Sequence, residues 1–107
     1  MAAFLSSIQL VSVYYTGGER EAYAPELAYI FNTNPKTGAI TICLESAECD
    51  TSYLTLTVHR SVKAVTGFFG KRVVRIATAL ARIDLQVTSS EAQQYWVNTL
   101  TREGEPG

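Results

Sequence analysis

The sequence predicts an α+β domain, an antiparallel β-sheet of roughly five to seven strands with one C-terminal amphipathic helix whose apolar face is most simply core, a partner's sheet in a dimer being the alternative cover. Three observations lead there. Short segments rich in Val, Ile, Thr and Tyr alternate apolar and polar residues, as half-buried strands do. Between them stand Thr16-Gly17-Gly18 and Asn34-Pro35-Lys36-Thr37-Gly38, whose glycines tolerate positive φ and whose proline pre-sets it. After Thr88 the period changes: Ala92, Tyr95, Trp96, Thr99 and Leu100 recur at helical spacing along one face.

In chain order, Ser7 to Tyr15 reads as the first strand and Glu19 to Ala24 as its hairpin partner, stopped by Pro25. Leu27 to Asn32 follows, and after the Asn-Pro turn Ala39 to Glu45 places Ile40, Ile42 and Leu44 on one side and Thr41, Cys43 and Glu45 on the other. Tyr53 to His59 alternates most cleanly, with Leu54, Leu56 and Val58 inward and Tyr53, Thr55, Thr57 and His59 outward. Gly67-Phe68-Phe69-Gly70 marks a projecting loop. Arg72 to Val87 is long and mostly apolar, and its middle, Ala77 to Ala81, would also suit a helix; strand is favoured because Ile83, Leu85 and Val87 alternate with Arg82, Asp84 and Gln86. Ser90 with Gln93, or Thr88 with Glu91, fits a capping box that opens the helix, and Gly104 and Pro106 end it.

The 107 residues suffice for one domain, and a chain of this size buries roughly 65% of its unfolded surface. No apolar run is long enough for a membrane span, and the N-terminus lacks the basic-then-apolar order of a signal peptide. Cys43 and Cys49 are read as reduced thiols, with a local disulfide as the alternative. No metal or cofactor is expected, because His59 is the only histidine and Glu45, Glu48 and Asp50 lack the spacing of a calcium loop. Nothing places a nucleophile beside that lone histidine, the residue type that most often serves as a general base, so the expectation is a protein that is not an enzyme and has no small-molecule substrate.

Charge placement says more than the formal total of -1. Residues 1–58 contain two basic side chains against six acidic ones, whereas the stretch from His59 to Arg82 contains Arg60, Lys63, Lys71, Arg72, Arg75 and Arg82 and no acid. Such a stretch suits a polyanion, although a solvated hairpin rim would have the same composition.

From Tyr53 onward the order is a strand ending at His59, the loop Thr66-Gly-Phe-Phe-Gly70, a long strand to Val87, and Thr88-Ser-Ser-Glu91 opening a helix that ends in Arg102-Glu-Gly-Glu-Pro106. This resembles the coat proteins of the single-stranded RNA bacteriophages (leviviruses). The front half is similar through its Met-Ala start, the Gly17-Gly18 turn and Ala24-Pro25. The resemblance implies a capsid protein with a five-stranded sheet extended across a two-fold dimer, interlocking helices, and an inner sheet face touching single-stranded RNA. By position, that RNA face would contain Thr41, Tyr53, Thr55, Thr57, His59 and Thr78, with Arg60, Lys63 and Arg82 supplying charge. Ala92, Tyr95, Trp96 and Leu100 would form the dimer interface, and Gly67, Phe68, Phe69 and Gly70 the inter-dimer loop. The partners implied are further copies of the chain and RNA, with no membrane, and the location is the virion, assembled in the bacterial cytoplasm. Strand-like segments followed by a helix with a central Trp96 also resemble pleckstrin-homology-like modules, which bind phospholipids or peptides.

Overall fold

Apolar alternation has to be buried on one side, and this chain buries it by facing two sheets against each other. A computed structural model describes residues 6–34, 36–46, 51–57 and 59–103. Among them are eight strands: β1 (Ile8–Tyr15), β2 (Arg20–Tyr23), β3 (Leu27–Asn34), β4 (Ala39–Glu45), β5 (Ser52–Leu56), β6 (Arg60–Thr66), β7 (Arg72–Thr78) and β8 (Ala81–Val87), followed by the helix α1 (Ser90–Glu103). Cys49, Glu48, Asp50, Val58, the Phe68 ring and the stop signals Gly104 and Pro106 lie outside the described residues.

The α+β class with a single C-terminal helix is as expected, but the strands divide between two sheets instead of forming one. The larger has the order β2-β1-β8-β7-β6 and the smaller β3-β4-β5, with every pairing antiparallel. Consecutive strands are neighbours except at β2/β3 and β5/β6, and β8 returns to pair with β1. The order is therefore that of an up-and-down barrel split at two places. At each split a three-residue link, 24–26 or 57–59, steps between sheets, which is long enough for the roughly 10 Å separating packed sheets.

The core lies between the sheets and under α1. Val11, Val13, Val74, Ile76, Ile83 and Leu85 come from the larger sheet, Ala28, Ile40, Ile42, Leu44 and Leu56 from the smaller, and Ala92, Trp96 and Leu100 from the helix, all in one buried cluster. Two sequence expectations need correction here. The long strand from Arg72 to Val87 is a hairpin: the Thr78 hydroxyl accepts the N–H groups of Leu80 and Ala81 and donates to the Ala81 carbonyl, turning the chain between β7 and β8. The strand predicted from Tyr53 to His59 ends at Leu56, and β6 begins at Arg60.

The helix face assigned to a dimer interface is occupied within the chain. Ala92 and Leu100 are fully buried and Trp96 is 2% exposed, and the indole Nε1–H donates to Ser7 Oγ at 2.9 Å. Tyr95 sits half-buried with its ring edge-on to Trp96, centroids 5.3 Å apart. These side chains cover the chain's own sheet, so a partner's sheet is not needed to bury them. The cap differs too: Ser89 Oγ accepts the Ala92 N–H at 3.1 Å, while Gln93 is drawn away from capping and donates to the carbonyls of Val65 and Val73. Gln93 thereby ties α1 to β6 and β7.

Candidate nucleic-acid interface

Strand alternation assigns every residue of the two sheets to the shared core or to one of two outer faces that look away from it. On the smaller sheet Thr41 pairs with Thr55 and Cys43 with Tyr53 on the outer face, and the Thr41 and Thr55 hydroxyls lie 3.4 Å apart. Tyr53 and Phe31 are both 57% exposed with ring centroids 5.1 Å apart. Tyr29 covers Cys43; its hydrogen bonds to the Cys43 thiol and the Glu45 carboxylate raise the phenol's pKa strongly. Cys43 is a free, buried thiol. This face is aromatic and hydroxyl-bearing, and none of the predicted cations lies on it.

The cations are elsewhere. On the outer face of the larger sheet, Arg20, Tyr14 and Arg82 line up across β2, β1 and β8. The two guanidiniums flank the Tyr14 ring, at 5.3 and 4.4 Å from its centroid; each such contact is worth about 0.5–1 kcal/mol at an exposed site. Arg75 and Lys63 are directly opposed across β7 and β6. Like charges in that position cost stability, so the fold gains nothing from Lys63. The one acid on this face is Asp84, whose carboxylate takes Arg75 Nε at 3.0 Å and Arg82 Nη2 at 3.5 Å. The bond to Asp84 raises the pKa of Arg75. With Lys71 on the loop above, five cations (Arg20, Lys63, Lys71, Arg75, Arg82) share a face with one carboxylate, a surplus of four positive charges.

The loop between β6 and β7 turns this face into a cleft. Gly67 N–H donates to the Lys71 carbonyl at 2.7 Å, closing the turn Phe68–Gly70. A cavity of 410 Å³ there is lined by the apolar Leu10 and Val73, by Tyr14 and Phe69, and by Arg20, Lys71, Arg75, Arg82 and the carboxylate of Asp84.

The predicted RNA set is thus split. Thr41, Tyr53 and Thr55 lie on one outer face, while Lys63 and Arg82 lie on the other. Thr57 and His59 are exposed in the link between the sheets, where Thr57 Oγ1 donates to the His59 carbonyl. Thr78 is spent on its turn. Arg60 is a structural tie: its guanidinium donates to the carbonyls of Gly38, Thr57 and Leu100. It satisfies one of the orphan carbonyls at the helix C-terminus, and desolvation lowers its pKa. Tyr14, Arg20, Lys71 and Arg75 are missing from the predicted set, the first two because they join it only through the pairing of β1 with β8 and β2. Comparison with protein-family models, curated proteins and solved structures finds no match to this chain.

No group of three or more His, Cys, Asp or Glu side chains suited to a metal ion occurs among the described residues. No helix there is long and apolar enough to cross a membrane. The closest gathering of ionisable groups is on the first hairpin, where Glu21 Oε2 accepts from Tyr23 Oη at 2.6 Å and from Tyr15 Oη at 2.9 Å. These bonds lower the pKa of Glu21 and raise those of the phenols, Tyr23 to about 12. Between pH 10.0 and about 12 an unfolded chain loses a Tyr23 proton that the folded chain retains, so stability must fall as pH rises through that window. The urea midpoint is expected to decline there and to decline less in Tyr23→Phe. On the acid side the Glu21 contribution is present above pH 4.5 and is lost as the carboxylate protonates.

Proposed function

We propose that the chain is a non-catalytic coat-type subunit, which binds single-stranded RNA on the outer face of the larger sheet and assembles with copies of itself into an enclosing shell. The observation that carries the reading is the cation surplus on that face. Asp84 is already engaged by two arginines, so the remaining charge on Arg20, Lys63 and Lys71 calls for an external polyanion. RNA-contacting roles move accordingly from Thr41, Tyr53, Thr55 and Thr57 to Tyr14, Arg20, Lys63, Lys71, Arg75 and Arg82. The resemblance of the C-terminal half to levivirus coat proteins supports the assembly part of the reading, with the virion as the site of action.

One observation favours a second reading. Two packed antiparallel sheets closed by a helix whose tryptophan enters the core suit a pleckstrin-homology-like module, and the same cations would then meet a phosphoinositide headgroup. Electron microscopy of the purified chain, with assay of nuclease-protected RNA, separates the two. Closed particles holding RNA are expected. A monomer that sediments with phosphoinositide vesicles and ignores RNA would replace the coat reading with the second.

A further inference from the structure

Resting on the RNA reading above, we propose that Phe69 is a stacking platform for one unpaired base, whose flanking phosphates lie on the cations of the cleft beneath. Phe69 is 99% exposed. A ring in that position adds nothing to the core, and leaving it in water forgoes the burial that would normally stabilise it. Its backbone is unusual as well, at φ 59 and ψ 28. A bulky side chain in that left-handed region costs about 1–3 kcal/mol. The loop accepts this cost while Gly70, next along, adopts φ 72 at no penalty. Replacing Phe69 with glycine would relieve the strain, so the ring itself stands out as the feature the loop presents.

Its surroundings say what it is presented to. Phe69 is among the residues that line the 410 Å³ cleft, together with Lys71, Arg20, Arg75, Arg82 and the carboxylate of Asp84. That volume lies within the range of small-ligand pockets and admits one nucleotide. An apolar partner would match the ring but leave Arg20 and Lys71 without a counter-charge, Arg75 and Arg82 being engaged by Asp84, and a simple anion would match those two cations but leave the ring in water. A nucleotide satisfies both, since its base has a π-face and its phosphate a charge. The chain of single-stranded RNA offers that pair repeatedly and unpaired. Tyr14 does not compete for the role, because its ring faces are flanked by guanidiniums.

The test is fluorescence anisotropy of a labelled, unstructured RNA oligonucleotide titrated with the parent chain, Phe69→Ala and Phe69→Trp, between about 50 and 200 mM salt. Phe69→Ala is expected to bind about tenfold more weakly at every salt concentration, with an unchanged salt slope, because stacking releases no counterions. Phe69→Trp is expected to retain parental affinity. Phe69 is solvent-exposed, so both variants fold. Parental binding by Phe69→Ala would overturn the stacking role while leaving the RNA reading in place. So would a variant that keeps its RNA affinity but no longer forms particles, which would make the ring a contact with a second copy. A parent chain that binds no RNA at any salt, or binds only anionic vesicles, would remove the RNA reading and the stacking role together.

Discussion

Trp96→Ala is expected to cost about 3–5 kcal/mol, a large share of the roughly 5–15 kcal/mol that holds a domain together. The ring is 2% exposed, its Nε1–H is satisfied by Ser7 Oγ, and its neighbours Ala92 and Leu100 are buried with it. Truncation therefore removes apolar area, leaves a cavity under α1 and strips a partner from a buried hydroxyl. For a chain of this length each kcal/mol moves the melting temperature by about 4–8 °C, so thermal unfolding should begin well below that of the parent. A Trp96→Ala protein that keeps the parent's melting temperature would mean that this ring is not part of the chain's own core.

The second large effect is electrostatic. Replacing Arg20, Lys63 and Lys71 together with Gln removes three cations that stand outside the Asp84 ion pairs, at little expected cost to folding. If each meets one phosphate, the logarithm of RNA affinity should lose about two units of its slope against the logarithm of salt, since a single strand releases about 0.7 counterion per contact. Anisotropy across a salt series measures that slope. The contrast with Arg60 is instructive, because all four residues are basic in sequence and only the three are available to a ligand. Arg60→Gln should weaken the fold through the carbonyls of Gly38 and Leu100 that it abandons, with the salt slope unaltered. An unchanged slope in the triple variant would mean that these cations are merely a solvated rim.

The fold was legible where local pattern decides it. The alternation of Ile40, Ile42 and Leu44 and the helical stripe through Trp96 became buried faces as read. The hairpin of β7 and β8 is not legible in the sequence because Ala79-Leu80 lacks the glycine, proline or asparagine that normally announces a turn, and Thr78 supplies the turn through its hydroxyl instead. Strand β6 was missed as a strand because it is an edge with largely exposed residues, Ser61, Lys63 and Ala64 among them, and so has little apolar period to read. The candidate site was legible only as a run of cations. Which cations share a face depends on β8 returning to β1, a pairing between opposite ends of the chain that no local pattern encodes. The aromatic and hydroxyl group around Tyr53 was read correctly as an outer face, but of the other sheet.

The central claim is that RNA contacts the larger sheet, and amide chemical-shift mapping tests it most directly because the two outer faces are separated by the core. On addition of an unstructured RNA oligonucleotide, the account predicts perturbation along β1, β7 and β8 around Tyr14, Arg75 and Arg82 and in the Gly67–Lys71 loop, with Thr41, Tyr53 and Thr55 unmoved. Shifts concentrated on Thr41, Tyr53 and Thr55, with the larger sheet silent, would contradict it.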